Sequence, residues 1–427
     1  HAAWFANEAR SCTAGVRSHR QAASLSFVRS ERSNIDAALA WSAAHDPLLG
    51  LSIANGFGWA WVVLGDSSGA QRILAALDAA GDAGQVQDRA NALLLAGWIE
   101  ASTGRLEPAR DHIAAVTDLA EAGDDVDLRA RCLYYLAYVV SHHGEFREAM
   151  ELTDRSRALY DGLDRPWDQA ANGLFAARAA ISAGDEERAV EATARVVHWL
   201  RQVDDPWLRV RGDAILGELA RLQHRFDDAV GHLHRAADAS RRLGFRQTEA
   251  YQVTILGRAQ CQAGDYHAGA ATLQVAVGKA ESIGDVRLAA LARVHLGRVL
   301  RAVGRPGPAR VALEAAAAWH RAAGGGEQAA LGECLLAAVD AGEGVPGAEV
   351  RVVRTLDDAR ARDDAPVEVF ALDALAHLAA LAGDVPRALD LCDAADRRMM
   401  AASHFITDLD RTDAHAVRRI AEAASAG

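Results

Sequence analysis

The sequence predicts an all-α fold, a right-handed superhelical solenoid of about nine helical hairpins with a period of about 40 residues. A glycine marks the same place in nearly every period, and a small residue usually follows it five positions later. A pair of the Leu-Gly or Leu-Ala type stands eight and seven positions before that glycine, as in Leu256-Gly257 and Leu296-Gly297. Chance does not keep such a register over eight or nine copies, so the repetition determines the fold class.

The repeating glycines mark the turns of the hairpins, and we expect there the positive φ that ends a helix. The predicted turn positions are Gly65, Gly104, Gly144, Gly184, His224, Gly264, Gly304, Gly344 and Gly383. Histidine replaces glycine once, at His224. The small residue five positions later is missing after Gly344, where Glu349 takes its place and Pro346 shifts the register.

One repeat shows how the sequence forms a hairpin. The stretches from Arg129 to His143 and from Phe146 to Tyr160 lack interior Gly and Pro and are rich in helix formers. They predict two helices joined by a turn at Gly144. We expect residues 1–47 to form a helical lead-in that caps the array, and residues 48–427 to form the solenoid.

Composition limits the classes of function. The chain is 50% hydrophobic and carries a net charge of −12, which argues against a general nucleic-acid-binding or membrane-surface role. No apolar run is expected to approach the roughly 18 residues of a membrane span. The five cysteines are scattered and never form a CxxC pair, which fits a reducing cytoplasm. We therefore expect a cytoplasmic protein.

The repeat resembles the tetratricopeptide repeat. Leu256-Gly257 and the turn Gly264-Asp265-Tyr266 match the pattern of that family, but the period is about 40 residues where the family has 34. Longer repeats of this kind resemble the C-terminal sensor domains of bacterial STAND-type signalling ATPases and of LuxR- or AfsR-like transcriptional activators. The segment from Glu31 to Trp41 resembles the helix that leads from the ATPase and winged-helix portion of such proteins into their repeats.

Motifs that carry catalytic chemistry are missing from the sequence. The only lysine, Lys279, follows Gly278, but Leu273 and Ala280 replace the glycine and the hydroxyl residue of a Walker A loop. The GxGxxG match from Gly342 to Gly347 contains Pro346 and follows no strand, so we assign it to a turn between helices. No HExxH motif, Cys/His cluster or GxSxG elbow is present. We expect no enzyme activity, no cofactor and no metal.

The resemblance implies a concave groove, because the first helix of each hairpin lines the inner side of such a solenoid. Family positions thirteen, ten, six and three residues before each turn face this groove. The candidate ligand-binding residues at these positions are Trp59, Trp98, Arg131, Tyr134, Tyr138, Arg178, Arg211, Glu218, Arg221, Tyr251, Arg258, Arg298 and Arg301. Aromatic rings there would bind apolar groups, and arginines a carboxylate or phosphate. Alternatively, Trp59 and Trp98 belong to the core, and the arginines pair with acidic residues of the next repeat.

These observations predict a non-enzymatic ligand- or protein-binding sensor module, the C-terminal part of a bacterial signalling ATPase or transcriptional activator. Its partner would be a protein, a peptide or a small anionic inducer in the groove, with no contact to nucleic acid or membrane by this segment, and a homo-oligomer is compatible with it. The first alternative is a stand-alone scaffold or adaptor that binds peptides or proteins. The second is a hydrolase or transferase that uses a groove glutamate such as Glu218.

Overall fold

The computed structural model describes residues 1–322, 327–402 and 411–426, and every regular element in them is helical. A short 3-10 turn, Gly81–Ala83, follows the fifth helix. The helices are α1 (Ala2–Gly15), α2 (Gln21–Ser30), α3 (Arg32–His45), α4 (Pro47–Leu64), α5 (Gly69–Ala80), α6 (Val86–Ser102), α7 (Leu106–Ala122), α8 (Val126–His143), α9 (Phe146–Tyr160), α10 (Pro166–Ala183), α11 (Glu186–Leu200), α12 (Pro206–Leu222), α13 (Phe226–Leu243), α14 (Arg246–Gln262), α15 (Tyr266–Ser282), α16 (Val286–Ala302), α17 (Pro306–Ala322), α18 (Glu327–Gly342), α19 (Ala348–Ala361), α20 (Ala365–Leu381), α21 (Val385–Ala402) and α22 (Thr412–Ala426).

Helices α4 to α21 follow one another as nine helix–turn–helix units within the described part of the chain, which confirms the predicted repeat. Helix α9 has the predicted bounds. Helix α8 starts three residues before the predicted Arg129, because the side chain of Asp125 accepts a hydrogen bond from the backbone N–H of Leu128 and caps the helix there. The match from Gly342 to Gly347 is confirmed as the turn between α18 and α19.

The predicted turn positions all have the expected backbone conformation. From Gly65 to Gly383 their φ angles lie between +58° and +91°, and His224 adopts +58° although it carries a side chain. The register near Pro346 is corrected by one position. Ala348, not Glu349, is the fully buried small residue at the start of α19, so the close contact between the two helices of that hairpin is kept.

Small residues hold the two helices of a hairpin close together, as predicted for Gly97 and its equivalents. A Cβ atom added to Gly97 would lie 3.2 Å from the carbonyl oxygen of Ala109 in the partner helix. Added to Gly257, it would lie 3.2 Å from the carbonyl oxygen of Gly269. A larger side chain at either position would push the two helix axes apart.

We expect Gly264→Val to lower the free energy of unfolding by about 1–2 kcal/mol, the cost of the left-handed conformation for a residue with a Cβ atom. A Cβ atom at Gly264 meets nothing within 4 Å, so the effect isolates the cost of its φ of +91°. His224→Gly is the control, and we expect it to change stability by less than about 1 kcal/mol. Urea unfolding followed by circular dichroism measures both. An unchanged Gly264→Val variant would contradict the assigned turn.

The chain forms two compact units. The first contains residues 1–223 and 231–252, and the second contains residues 224–230 and 253–427, of which the ranges given above are described. In the first unit, α1 and α3 pack against α4, so the lead-in belongs to the same unit as the first hairpins. The predicted boundary at residue 47 coincides with the start of α4, and a separate role for residues 1–47 stays a prediction.

Helix α4 corrects the expectation that no apolar run approaches the length of a membrane span. It has 18 residues and a mean hydropathy of 1.4, enough by length and composition to cross a bilayer. In this structure 67% of it is buried inside the protein, because α1, α3, α5 and α6 all pack against it. Its apolar composition is thus explained by neighbours on several sides, as in the core helix of a helical protein.

Candidate ligand-binding surface

The aromatic residues predicted to line the groove lie inside the first unit. Trp59, Trp98, Tyr134 and Tyr138 are between 0% and 8% exposed. The ring of Trp98 stacks on Tyr138 with centroids 4.5 Å apart, and Trp59 meets Trp98 edge to face at 5.3 Å. In this structure Trp59 and Trp98 therefore belong to the core, which is the alternative considered for them.

Two further tryptophans extend this aromatic cluster. Trp167 and Trp207 follow the prolines that start α10 and α12, and their rings lie 5.1 Å and 5.4 Å from that of Trp59. The guanidinium group of Arg17 lies 3.7 Å from the Trp167 ring centre and 4.5 Å from that of Trp59. The lead-in thus covers the cluster with a cation.

A buried glutamine fixes the lead-in at the same place. Gln21 is fully buried, and its amide nitrogen donates to Asp205 at 3.0 Å while its amide oxygen accepts from the backbone N–H of Trp207 at 3.0 Å. Asp205 also accepts from the indole N–H of Trp167 at 2.6 Å. Sequence analysis missed Arg17 and Gln21, because both lie outside the repeat register and no local pattern relates them to partners as distant in sequence as Trp167 and Asp205.

Hydrogen bonds give the buried tyrosines a structural role. The Tyr134 hydroxyl donates to Asp168 at 2.8 Å, and burial raises the pKa of Tyr134 well above its ordinary value. The hydroxyl groups of Tyr138 and Ser102 lie 2.8 Å apart. Because these polar atoms already have partners inside the protein, a ligand would have to displace them.

Two of the predicted groove arginines contact carboxylates, but neither carboxylate belongs to the next repeat. Arg131 lies 3.7 Å from Asp127, one turn earlier on the same helix. In the second unit, Arg301 contacts Asp413 of α22, which is almost fully buried. Arg301 therefore connects α16 to the last helix of that unit.

Arg178 and Arg211 of the first unit lie against aromatic rings. The guanidinium group of Arg178 is 4.5 Å from the ring centre of Tyr251, and that of Arg211 is 5.0 Å from the ring centre of Trp207. Glu218 is close enough to act electrostatically on both arginines, and Arg221 acts on Tyr251. Arg178, Arg211 and Tyr251 are half-buried, whereas Glu218 and Arg221 are 6% exposed. Five predicted residues thus form one cluster.

The remaining predicted pair, Arg258 and Arg298, lies in the second unit. Both side chains line a cavity of about 10 Å³, with Cys261 and His295 among its other walls. Such a volume holds about one water molecule. The Arg298 guanidinium also lies 5.3 Å from the ring centre of Phe370. The structure therefore brings these two arginines together next to an aromatic ring.

The described side chains offer little for metal or nucleophilic chemistry. No group of three or more His, Cys, Asp and Glu residues among them is placed to hold a metal ion. All five cysteines are free and buried, and burial raises the pKa of Cys12 to about 12. Thiols in such surroundings are poor nucleophiles. The arrangement is suited to binding through rings and guanidinium groups.

The stacked hairpins, with a left-handed backbone residue at each predicted turn, define a helical repeat protein with a tetratricopeptide-like fold. No protein-family model and no curated protein sequence matches the chain. Among solved structures, it is similar to a Rap protein in complex with competence and sporulation factor, at 13% identity and a TM-score of 0.63. That similarity covers 82% of this chain and 97% of the Rap protein.

Two more solved structures have a similar fold. One is the Rap conjugation gene regulator of the plasmid pLS20 in complex with the Phr* peptide, at 14% identity and a TM-score of 0.57, over 82% of this chain and 94% of that chain. The other is aspartyl phosphate phosphatase F from Bacillus subtilis, at 10% identity and a TM-score of 0.54, over 83% of this chain and 95% of that chain. At these identities the similarity establishes the fold alone.

Proposed function

We propose that the chain is a non-enzymatic sensor module that binds a peptide, a protein segment or a small anionic inducer through the first helices of its hairpins. The observation that carries this proposal is the clustering of arginines and aromatic rings at the predicted groove positions of both units. Two proteins of similar fold have been solved with a competence and sporulation factor and with a Phr* peptide, which supports a peptide as the partner.

The module would act by changing the balance between two states of an attached domain, which requires that the ligand bind one state more tightly than the other. The resemblance of the segment from Glu31 to Trp41 supports attachment to a signalling ATPase or transcriptional activator in the cytoplasm. Most of this segment lies in α3, directly before the first hairpin, which is where a connecting helix would stand.

The experiment that tests the proposal measures binding of a pool of acidic hexapeptides to the full chain by fluorescence anisotropy. We expect the double substitution Arg258→Ala and Arg298→Ala to weaken binding about tenfold or more, since hydrogen bonds to a charged partner are among the stronger ones. Added salt should weaken the binding that remains. Circular dichroism should show nearly unchanged helicity.

The control removes the same charge from exposed positions of the second unit, by Arg305→Ala and Arg362→Ala. We expect this variant to bind like the wild type. A second pool, with Asn and Gln in place of Asp and Glu, should bind weakly. Equal binding of both pools, or equal losses in both double variants, would show that the arginines of the second unit do not recognise an anionic ligand.

A further inference from the structure

The cluster around Tyr251 in the first unit holds two arginines against aromatic rings. Elsewhere, some arginines are held by two carboxylates. Arg411, for example, contacts Asp373 and Asp396, both at 2.6 Å. Around Tyr251 the carboxylate of Glu218 acts electrostatically on both Arg178 and Arg211, whose guanidinium groups lie against rings.

The repeat places these groups on one side. Arg178 and Glu218 are equivalent residues of α10 and α12, 40 positions apart, and Arg211 and Tyr251 are equivalent residues of α12 and α14. All four belong to the first unit. Because Arg178, Arg211 and Tyr251 are half-buried, a ligand at the surface can reach part of each side chain.

Ring contacts hold the two guanidinium groups without neutralising them. A cation over a ring face uses the flat side of the guanidinium, so its N–H groups at the edge remain suitable donors. The contacts at 4.5 Å and 5.0 Å therefore orient Arg178 and Arg211 while their positive charge persists. Burial and the neighbouring Arg178 lower the pKa of Arg211, whereas the pKa of Arg178 is raised because Tyr251 and Glu218 outweigh its burial.

Charge crowding of this kind costs stability unless something compensates it. In the chain alone, Glu218 carries one negative charge against the two positive charges of Arg178 and Arg211, and Arg221 adds another positive charge near Tyr251. An oxyanion bound between the arginines would remove the excess and accept the fork-shaped N–H pairs. Tyr251 can donate its hydroxyl proton to the same anion, because burial raises its pKa and keeps it protonated. Glu218 would then accept a hydrogen bond from a hydroxyl or N–H group next to the anion.

We propose that Arg178, Arg211 and Tyr251 form a binding site for a single oxyanion, the carboxylate or phosphate group of a small ligand. Glu218 accepts a hydrogen bond from a hydroxyl or N–H group of the ligand beside that oxyanion. This inference rests on the proposed function for its biological meaning, since the ligand would be the inducer of the sensor. The anion site itself is tested without knowledge of that inducer.

The test measures thermal unfolding of the full chain with inorganic phosphate, glycolate or acetate, at an ionic strength kept constant with sodium chloride. Phosphate represents a phosphoryl ligand, and glycolate represents a carboxylate with a hydroxyl group beside it. Acetate lacks that hydroxyl. We expect phosphate or glycolate to raise Tm by about 1–3 °C once its concentration exceeds Kd about tenfold, with acetate less effective than glycolate.

Arg211→Gln separates this site from a general salt effect. It should raise Tm without anion, because the repulsion with Arg178 is gone, and it should abolish the anion-dependent rise. Arg201→Gln, at an exposed position of the same unit, should keep that rise. Arg178→Lys keeps the charge but loses the planar fork, so it should retain a weaker response and provides a second variant if Arg211→Gln does not fold.

Two outcomes would overturn the proposal: no rise in Tm of the wild type with any of the oxyanions, or the same rise in wild type and Arg211→Gln. Failure of the hexapeptide experiment combined with an Arg211-dependent rise would leave the anion site standing and reject the proposed function as a peptide sensor. The reverse combination would reject the anion site alone.

Discussion

Gly269→Ala should lower the free energy of unfolding by about 1–3 kcal/mol, because one added methyl group cannot be accommodated between α14 and α15. The new Cβ atom would lie 2.2 Å from the sulfur of Cys261 and 2.9 Å from the carbonyl oxygen of Gly257. The sulfur can rotate away. The carbonyl oxygen belongs to the backbone of the facing helix, so the two helices would have to separate. Urea unfolding followed by circular dichroism measures the loss.

Gly278→Ala in the same helix is the matched control. A Cβ atom at Gly278 meets nothing within 4 Å, so alanine adds only its better helix propensity. We expect this variant to be more stable than the wild type by about 0.5–1 kcal/mol. The two identical chemical changes in α15 should therefore act in opposite directions. Equal stabilisation by both would mean that the helices of this hairpin do not approach as closely as the structure shows.

Arg411→Met should destabilise the second unit by about 3–5 kcal/mol, because it leaves a buried carboxylate without its cation. Nε and Nη2 of Arg411 donate to the two oxygens of Asp373 at 2.6 and 3.1 Å, and both side chains are under 10% exposed. These bonds attach Arg411, directly before α22, to α20. Asp396, which also contacts Arg411, keeps a second contact to Arg418 at 3.1 Å.

The loss in Arg411→Met should depend on pH. Burial raises the pKa of Asp373 to about 6, and Arg411 opposes that rise, so removing Arg411 should raise the pKa further. A carboxyl group whose pKa is higher in the folded state than in the unfolded state loses stability as pH increases through that range. The free energy of unfolding that Arg411→Met loses relative to the wild type should thus be larger at pH 8 than at pH 5. The same difference at both values would show that Asp373 does not carry the unpaired charge.

The double variant Asp373→Leu with Arg411→Met provides the rescue. With both charges gone, no buried group lacks a partner, and apolar side chains of similar size can fill the space. We expect its free energy of unfolding to be closer to that of the wild type than that of Arg411→Met is. The remaining loss of stability should be nearly the same at pH 5 and pH 8. A double variant as unstable as the single one would place the cost in lost packing and not in the charge.

The sequence alone was sufficient for the helical hairpins and their turns. The left-handed residues from Gly65 to Gly383 could be located because each turn requires a local backbone conformation that few residues adopt, and the requirement repeats about every 40 positions. The bounds of α9 followed as well, whereas the start of α8 was predicted three residues too late, because Asp125 caps that helix earlier. The small-residue register near Ala348 was misplaced by one, because Pro346 and Gly347 alter the turn locally.

The sequence also identified the residue types of the candidate site, through positions that recur once per repeat. It could not decide which of them are open to a ligand. Trp59 and Trp98 occupy the same repeat position as Arg178, yet they are buried and Arg178 is half-buried. Arg17, from outside the repeat, lies over Trp59, and the rings of Tyr138 and Phe175 pack against Trp98.

Only the tertiary structure could decide these contacts. The repeat pattern reports interactions between neighbouring helices, whereas Gln21 meets Asp205 across 184 positions of sequence. Pairing over such distances depends on the sum of many small rotations between successive hairpins, and no single residue determines that sum. Local backbone chemistry therefore determined the repeat, and long-range packing determined its accessible surface.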